Sequence, residues 1–224
     1  MSSNEIYLNK NDLDKYFFEL GRLLYKRAKN KNLHVELIVV GGASIILNYG
    51  FRSTTVDIDC IDVYGVLMNE IVDAVSDKYG LPKGWINTDF TKTASYSQKL
   101  IQFSKLYKTY GNGMLEIRTI SNEYLLAMKI VSGRKYKNDF SDMYGIVKYH
   151  FENDMPISLI DIDRAIIELY GDKTKVDLDA YEFVKSVINN PHRLNENKIK
   201  SIEEGNSIKI KKNNSHKEDL DQFK

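Results

Sequence analysis

The sequence predicts a mixed α/β (α+β) fold, in which a mixed sheet with flanking helices is followed by a helical C-terminal half. The apolar run Leu33–Val40 is typical of a buried strand. The stretch Thr55–Ile61 alternates apolar and polar residues, as a strand with one buried face does. After Ser121 apolar residues recur at spacings of three and four, which indicates helices.

The change of period near Ser121 also predicts how the chain is divided. Residues 1–120 form the first domain in this prediction, and residues 121–194 form a helical domain. Residues 195–224 are rich in Lys, Asn, Glu and Ser and contain few apolar residues, so they are expected to be a mobile tail.

The elements of the first half follow from local patterns. Gly41-Gly42 ends the first strand, Tyr49–Arg52 is predicted to be a loop, and the mostly polar composition of Lys83–Ser97 suggests a second loop. Gly111-Asn112-Gly113 predicts a hairpin that joins strands over Gln102–Tyr110 and Met114–Ile120. Helices are predicted over Asn11–Lys29 with Asn11 as N-cap, Ala43–Asn48, Val66–Tyr79, Tyr124–Ser132, Asp139–Phe151, Ser158–Tyr170 and Leu178–Ile188.

Composition excludes several classes of protein. The 224-residue chain has a formal net charge of +1, which argues against a broadly basic nucleic-acid-binding surface. No apolar run approaches the roughly 20 residues that span a bilayer, and the N-terminus lacks a secretory signal pattern, so we expect a cytoplasmic protein without a membrane partner. The single cysteine, Cys60, alternates with Val56 and Ile58 and is expected to be buried.

Two carboxylates mark the second strand. Residues two apart on a strand point to the same side and lie roughly 7 Å apart, so Asp57 and Asp59 share a face. A divalent cation between them would relieve their repulsion, whereas the alternative is a polar face in solvent. The same pattern at Asp161 and Asp163 falls in a helical stretch, where positions two apart diverge, and predicts only a solvated face.

A possible phosphate-binding turn precedes these carboxylates. Glycine lets the backbone approach a ligand closely, and a turn that leads into a helix offers unpaired amide donors to phosphate oxygens. Gly41 and Gly42 fit this description, and Ser44 adds a hydroxyl donor. An ordinary strand-to-helix turn is the alternative for the glycines alone. The combination with Asp57 and Asp59 suggests phosphoryl-group chemistry on a nucleotide.

These motifs resemble the nucleotidyltransferases of the DNA polymerase β superfamily. The similarity lies in the order strand, Gly41-Gly42, helix and Asp57-Ile58-Asp59. Two further stretches are similar to the branch that contains abortive-infection type toxin nucleotidyltransferases and related uncharacterised proteins. They are Gly50–Thr54, and Glu123–Lys129 with Arg134 and Lys137–Asp142.

The resemblance implies a fold, an activity and a set of site residues. The first domain would be the catalytic domain, which transfers a nucleoside monophosphate from a nucleoside triphosphate to tRNA, a protein or a small molecule, with Mg²⁺ or Mn²⁺ as cofactor. It also implies a toxin role with an antitoxin protein as partner. A nucleotide-binding or partner-binding module without catalysis is the alternative.

The resemblance further assigns roles to individual residues. Asp57 and Asp59 would hold the metal ions, and Glu116 is the candidate for a third carboxylate, although Arg118 shares its face and could pair with it instead. Lys129 would contact nucleotide phosphates, and either of Asp139 and Asp142 would support the site. Lys129 as a solvated helix residue and Asp139 as an N-cap are the alternatives. Arg52 is expected to meet either a phosphate or a surface acid.

Overall fold

A computed structural model describes residues 6–31, 33–61, 66–192 and 195–221. The chain forms two compact units, Met1–Leu125 and Leu126–Lys224. The strands are β1 (Val35–Val39), β2 (Ile58–Ile61), β3 (Ile86–Asn87), β4 (Lys105–Tyr110) and β5 (Leu115–Thr119). The helices are α1 (Lys10–Ala28), α2 (Gly41–Asn48), α3 (Val66–Tyr79), α4 (Asn122–Ser132), α5 (Asp139–Glu152), α6 (Leu159–Tyr170), α7 (Leu178–Asn189) and α8 (Glu196–Asp221).

The strands of the described residues form one mixed sheet in the order β3-β2-β1-β5-β4. β1 is antiparallel to β2 and parallel to β5, β2 is parallel to β3, and β4 is antiparallel to β5. The predicted mixed α/β fold is therefore confirmed. The hairpin between β4 and β5 is also confirmed, and its turn uses the left-handed conformation at Gly111, Asn112 and Gly113.

Helix α1 covers one face of the sheet. Its apolar stripe, which includes Phe17 and Leu20, is fully buried in the same core cluster as Leu37 and Val39 of β1. The N-cap is Asn9 and not Asn11 as the sequence suggested, because the Asn9 side chain accepts the amide of residue 11 at 2.8 Å and closes a capping box.

Strand β2 begins three residues later than predicted. Thr55 forms an isolated bridge with Leu8, whose amide donates to the Thr55 carbonyl at 2.7 Å. Thr55 therefore pairs with the N-terminal segment, and only the later residues of β2 pair with β1. Val56 is consequently 44% exposed rather than part of the apolar face. Cys60 is fully buried, as predicted, and its Sγ lies 3.3 Å from the Asn87 carbonyl oxygen.

The segment predicted as loop before the hairpin contains short regular structure. β3 adds two residues to the sheet, and two 3-10 helices follow over Asp89–Lys92 and Gln98–Ile101. Trp85 is 1% exposed and packs edge-on against Tyr16 of α1, with the ring centroids 5.5 Å apart. A strand of two residues is too short to show a period, so the pattern did not reveal it.

The second unit is helical, as the sequence predicted. α5 packs against α7 and α8, and α6 begins at the capping box of Ser158 with Asp161. The tail predicted over 195–224 contains α8, in which Ile199 and Glu203 are buried, and residues 222–224 lie outside the described part. Across the described residues, no helix combines the length and apolar character that crossing a membrane requires.

Candidate functional site

The glycine turn after β1 forms the first turn of α2. Gly41 has φ +60, a backbone conformation that residues other than glycine rarely adopt. Val40 occupies the N-cap position and provides no side-chain cap to the first turn. The helix therefore begins with amide groups that no N-cap side chain accepts, which is the usual starting point of a phosphate-binding turn.

Asp59 lies beside this turn. The Val40 amide donates to the Asp59 carbonyl at 2.9 Å, so the two residues are neighbours across β1 and β2. A Cβ built on Gly41 would stand 3.6 Å from Asp59 Oδ2. Asp57 and Asp59 are both half-buried; Asp59 lies on β2, whereas Asp57 precedes the first residue of this strand and is not part of it as the sequence predicted. The structure thus brings Asp59 and the glycine turn together.

Arg52 packs on the second glycine. A Cβ on Gly42 would lie 2.7 Å from Arg52 Cζ, which is closer than real Cβ contacts come, so a larger residue there would displace the Arg52 guanidinium. Arg52 Nε donates to the Thr54 carbonyl at 3.0 Å, and this bond helps to fix the side chain. The result is a guanidinium group beside the first turn of α2, where it adds positive charge to the helix N-terminus.

Ser44 faces away from the turn. It is completely buried, and its hydroxyl donates to the Ile120 carbonyl at 2.5 Å. The Asn48 side-chain amide donates to the same carbonyl at 2.9 Å and to Ser44 Oγ at 3.2 Å. Ser44 therefore anchors α2 to the end of β5, and we leave it out of the phosphate site that the sequence suggested for it.

Glu116 is not brought next to Asp59. The register of β1 with β5 pairs Glu116 with Glu36, whereas Asp59 neighbours Val40. Val40 and Glu36 are four residues apart, which corresponds to about 13 Å at a rise of about 3.3 Å per residue. Continued by one residue, the same register puts Ile120 beside Val40. The residue level with Asp59, which directly follows β5, is thus apolar.

Glu116 belongs instead to an ion cluster at the other end of β1. Its Oε2 lies 3.3 Å from Arg118 Nη1, the pairing that the sequence left open, and its Oε1 lies 3.6 Å from His34 Nε2. Glu36 joins the cluster, at 3.6 Å from His34 Nε2. His34, Glu36 and Glu116 have ligand atoms within 4.8 Å of one another. Since Arg118 contacts the carboxylates and the cluster is partly exposed, an ion-pair network accounts for it.

In the second unit, Lys129 is buried between two carboxylates. Its Nζ donates to Asp139 Oδ1 at 2.7 Å and to Asp142 Oδ2 at 2.8 Å, and the Lys129 residue is 6% exposed. Lys129 is therefore not a solvated helix residue. Asp139 is not the N-cap either, since Asn138 holds that position and Asp139 is the first residue of α5.

Arg134 completes this cluster, which we call the Lys129 cluster: Lys129, Arg134, Asp139 and Asp142. Arg134 Nε donates to Asp139 Oδ2 at 2.9 Å and Nη2 donates to Oδ1 at 3.2 Å. Burial alone would raise the pKa of Asp139, but the charges of Lys129 and Arg134 outweigh it and hold that pKa below its ordinary value. Sequence reasoning missed this role of Arg134, although its position five residues before Asp139 was the available signal.

A family model matches most of the chain. Residues 17–184 match the family model described as "Nucleotidyltransferase of unknown function (DUF6036)", and this stretch is more than half of the chain. The chain belongs to this family. The matched range includes the glycine turn, Asp57, Asp59 and the Lys129 cluster, so the nucleotidyltransferase resemblance holds at the level of the family. Searches of curated proteins and of solved structures give no match.

Proposed function

We propose that the protein transfers a nucleoside monophosphate from a nucleoside triphosphate to an acceptor, with its site at the first turn of α2 and the carboxylates of Asp57 and Asp59. The proximity of Asp59 Oδ2 to Gly41, 3.6 Å from the point where a Cβ would stand, carries this proposal. It joins a turn suited to phosphate oxygens with a carboxylate suited to a cation. Membership of a nucleotidyltransferase family supports the same reaction class.

The carboxylates fit Mg²⁺ or Mn²⁺ by their chemistry. Asp57 and Asp59 supply hard oxygen donors and are half-buried, so a ligand can still reach them. Mg²⁺ typically uses one or two carboxylates together with substrate phosphates and water, which is the donor set that these two residues would complete. When bound, such an ion neutralises charge on the triphosphate and on the leaving pyrophosphate.

The residues of the chain itself have separate roles in this proposal. The amides of Gly41 and Gly42 bind phosphate oxygens, and Arg52 adds a positive charge beside them. Glycine is favoured at Gly41 by its φ of +60, and its small size at Gly42 leaves room for the guanidinium of Arg52. Lys129 is not assigned to phosphate binding in this proposal, because its ammonium already makes two short hydrogen bonds to Asp139 and Asp142. Together with these carboxylates it has a supporting role.

Substitution of the carboxylates tests this assignment. Asp57→Asn and Asp59→Asn should each abolish the release of pyrophosphate from α-labelled nucleoside triphosphates, and the transfer of label to total RNA or total protein, in the presence of Mg²⁺. Asp163→Asn is the matched control, because Asp163 belongs to the similar Asp-x-Asp pattern but lies on α6 and pairs with Lys173 at 2.6 Å. Undiminished transfer by Asp57→Asn would sink the assignment.

One observation favours the non-catalytic alternative, a nucleotide-binding or partner-binding module. In the register of β5, Ile120 and not Glu116 is level with Asp59, so β5 does not supply the third carboxylate that the resemblance implies. Calorimetric titration with each triphosphate and Mg²⁺ separates the two functions. Binding that depends on Asp59, without release of pyrophosphate, would establish the alternative.

The acceptor and a toxin role rest on the resemblance alone. The acceptor classes are tRNA, a protein or a small molecule, and the partner in the toxin hypothesis is an antitoxin protein. Expression in a bacterial host tests the hypothesis: growth should stop with the wild-type chain and continue with Asp57→Asn. Normal growth with both chains, at equal amounts of soluble protein, would remove the toxin hypothesis while leaving the transfer reaction to its own assay.

A further inference from the structure

Glu203 of α8 takes the place of a missing N-cap on α5. Asn138 occupies the N-cap position of α5 and makes no side-chain cap. Glu203 Oε1 instead accepts the amides of Phe140 at 2.8 Å and Ser141 at 3.2 Å. A single carboxylate oxygen from a distant part of the sequence thus joins α8 to the first turn of α5.

The surroundings of this carboxylate disfavour its charge. Glu203 is 4% exposed, and its second oxygen, Oε2, is buried without a hydrogen-bond partner among the described residues. An ionised carboxylate in such a position pays a desolvation cost that two amide donors on the other oxygen offset only in part. The nearby carboxylate of Asp142 on α5 adds repulsion.

Other charged groups around Glu203 are already engaged. Lys135, which precedes α5, borders the same cavity, but its ammonium bonds to Asp179 of α7. α7 contributes the uncharged Phe183 to this cavity. From α8 itself, the Asn206 side-chain amide donates to the Lys135 carbonyl at 3.0 Å.

Apolar packing holds α8 only in part. Beside Glu203 lies a cavity of about 200 Å³. Its apolar lining comes from Phe140, Phe183, Ile199 and Ile202, and the last of these is 56% exposed. The cavity is open on one side, so α8 is not fully packed against its neighbours there and makes fewer apolar contacts. The hydrogen bonds of Glu203 therefore add to the apolar contacts that hold α8 on α5.

We propose that Glu203 makes the docking of α8 on α5 sensitive to pH, so that α8 is held most firmly when this carboxyl group is neutral and loosens when it ionises. The neutral form keeps Oε1 as an acceptor for both amides and removes the buried charge. α8 then acts as a strap that a rise in pH releases from the first turn of α5.

The direction in which the pKa of Glu203 is shifted agrees with this proposal. Burial first, and then Asp142, raise the pKa of Glu203 from 4.5 to about 7, against the opposing effects of the Ser141 side chain and of the amide donors. The docked helix thus retains the proton up to about pH 7, whereas an undocked Glu203 releases it near its ordinary value. The docking equilibrium should consequently weaken as the pH rises between these two values, by on the order of a hundredfold.

The first turn of α5 also carries Asp139 and Asp142, which hold Lys129. Loosening of α8 would therefore change the surroundings of Lys129. Any effect of this change on nucleotide transfer rests on the proposed function. The docking itself does not depend on that function, and it is measured without substrate.

The test follows the amide resonances of Phe140 and Ser141 by NMR from about pH 5 to about pH 8.5, with hydrogen exchange of the α8 amides corrected for the intrinsic effect of pH. In the wild type, both amides should titrate with a midpoint near pH 7, and protection of α8 should fall as the pH rises. Glu203→Gln, which still offers an acceptor oxygen, should remove this pH dependence. Glu204→Gln is the matched control, because its neighbour Glu204 is exposed, and it should behave as the wild type does.

A midpoint near 4.5, or equal pH profiles for the wild type and Glu203→Gln, would overturn the proposal. Protection of α8 that rises with pH would overturn it too. If Glu203→Gln did not fold, the wild-type titration measured beside Glu204→Gln would still decide, because the midpoint and the direction are both specified.

Discussion

The carboxylate of Asp59 lies beside Gly41, close enough that a Cβ on the glycine would stand 3.6 Å from Asp59 Oδ2. This relationship joins the first turn of α2 to β2 across the β1–β2 pair. It places amide donors and a carboxylate, two groups that bind opposite charges, at one end of the sheet. A nucleoside triphosphate with a divalent cation carries both charges, which is why the proposed site accounts for their juxtaposition.

Gly41→Ala tests that relationship. Because Gly41 has φ +60, an alanine there should cost about 1 kcal/mol of stability. It should also weaken triphosphate binding, since the methyl group would stand between the turn and Asp59. Gly50→Ala is the control, because Gly50 has φ +72 and no atom of the described residues lies within 4 Å of its Cβ position. Denaturant unfolding and calorimetric titration measure both effects, and equal losses of triphosphate affinity in the two variants would contradict the proposed site.

The register between β1 and β5 predicts that Glu116 and Asp59 behave differently. Asp59→Asn should reduce the affinity for Mn²⁺, measured by electron paramagnetic resonance, by about tenfold or more, whereas Glu116→Gln should change it by less than about twofold. The reason is that Glu116 lies opposite Glu36 and Asp59 lies opposite Val40, four residues further along the chain. Arg118 is also already bonded to Glu116. A loss of Mn²⁺ binding in Glu116→Gln equal to that in Asp59→Asn would restore Glu116 to the site.

Local patterns predicted the elements well and their long-range partners poorly. The bounds of α3, Val66–Tyr79, and the burial of Cys60 follow from periodicity within one segment, and both are confirmed. The place of Glu116 depends on the register of two strands that are far apart in sequence. Alternation shows the face on which a strand residue lies, but not its level along the neighbouring strand. The sequence alone could not decide between a ligand and an ion pair there.

The same limit applies to Ser44 and Lys129. A serine after a glycine turn is a plausible phosphate donor until the Ile120 carbonyl, from another strand, is seen to accept its hydroxyl. A lysine in a helix is ordinarily solvated, and its burial here depends on Asp139 and Asp142 of the next helix. Both outcomes arise from contacts between elements, which no local pattern encodes.

Ser44→Ala should affect stability and not ligand binding. The substitution leaves the Ile120 carbonyl with only the Asn48 amide as a side-chain donor, so unfolding should become easier by about 1 kcal/mol. Triphosphate affinity should stay within about twofold of the wild type, because the hydroxyl points away from the turn. Ser186→Ala is the control for losing an exposed hydroxyl, and its stability should barely change. A large loss of triphosphate affinity with unchanged stability would return Ser44 to the phosphate site.

Lys129→Ala should destabilise the protein by about 3–5 kcal/mol, because it leaves Asp139 and Asp142 buried with too little positive charge. Lys185→Ala removes the exposed ion pair with Glu182 and should cost less than about 1 kcal/mol. Urea unfolding of the two variants gives the comparison. If Lys129→Ala were as stable as Lys185→Ala, the Lys129 cluster would not contribute to the stability of the fold.

The pH dependence of stability provides a separate test of Asp139. Lys129 and Arg134 overcome the effect of burial and hold its pKa below the ordinary value of 3.8, so the folded state resists protonation. The stability from this group is fully present above that ordinary value and is lost as the pH falls towards the folded pKa. The advantage of the wild type over Asp139→Asn in free energy of unfolding should therefore shrink on acidification below about pH 4, by up to about 1.4 kcal/mol per pH unit. An advantage that stayed constant down to about pH 3 would show that Asp139 is not held ionised by these cations.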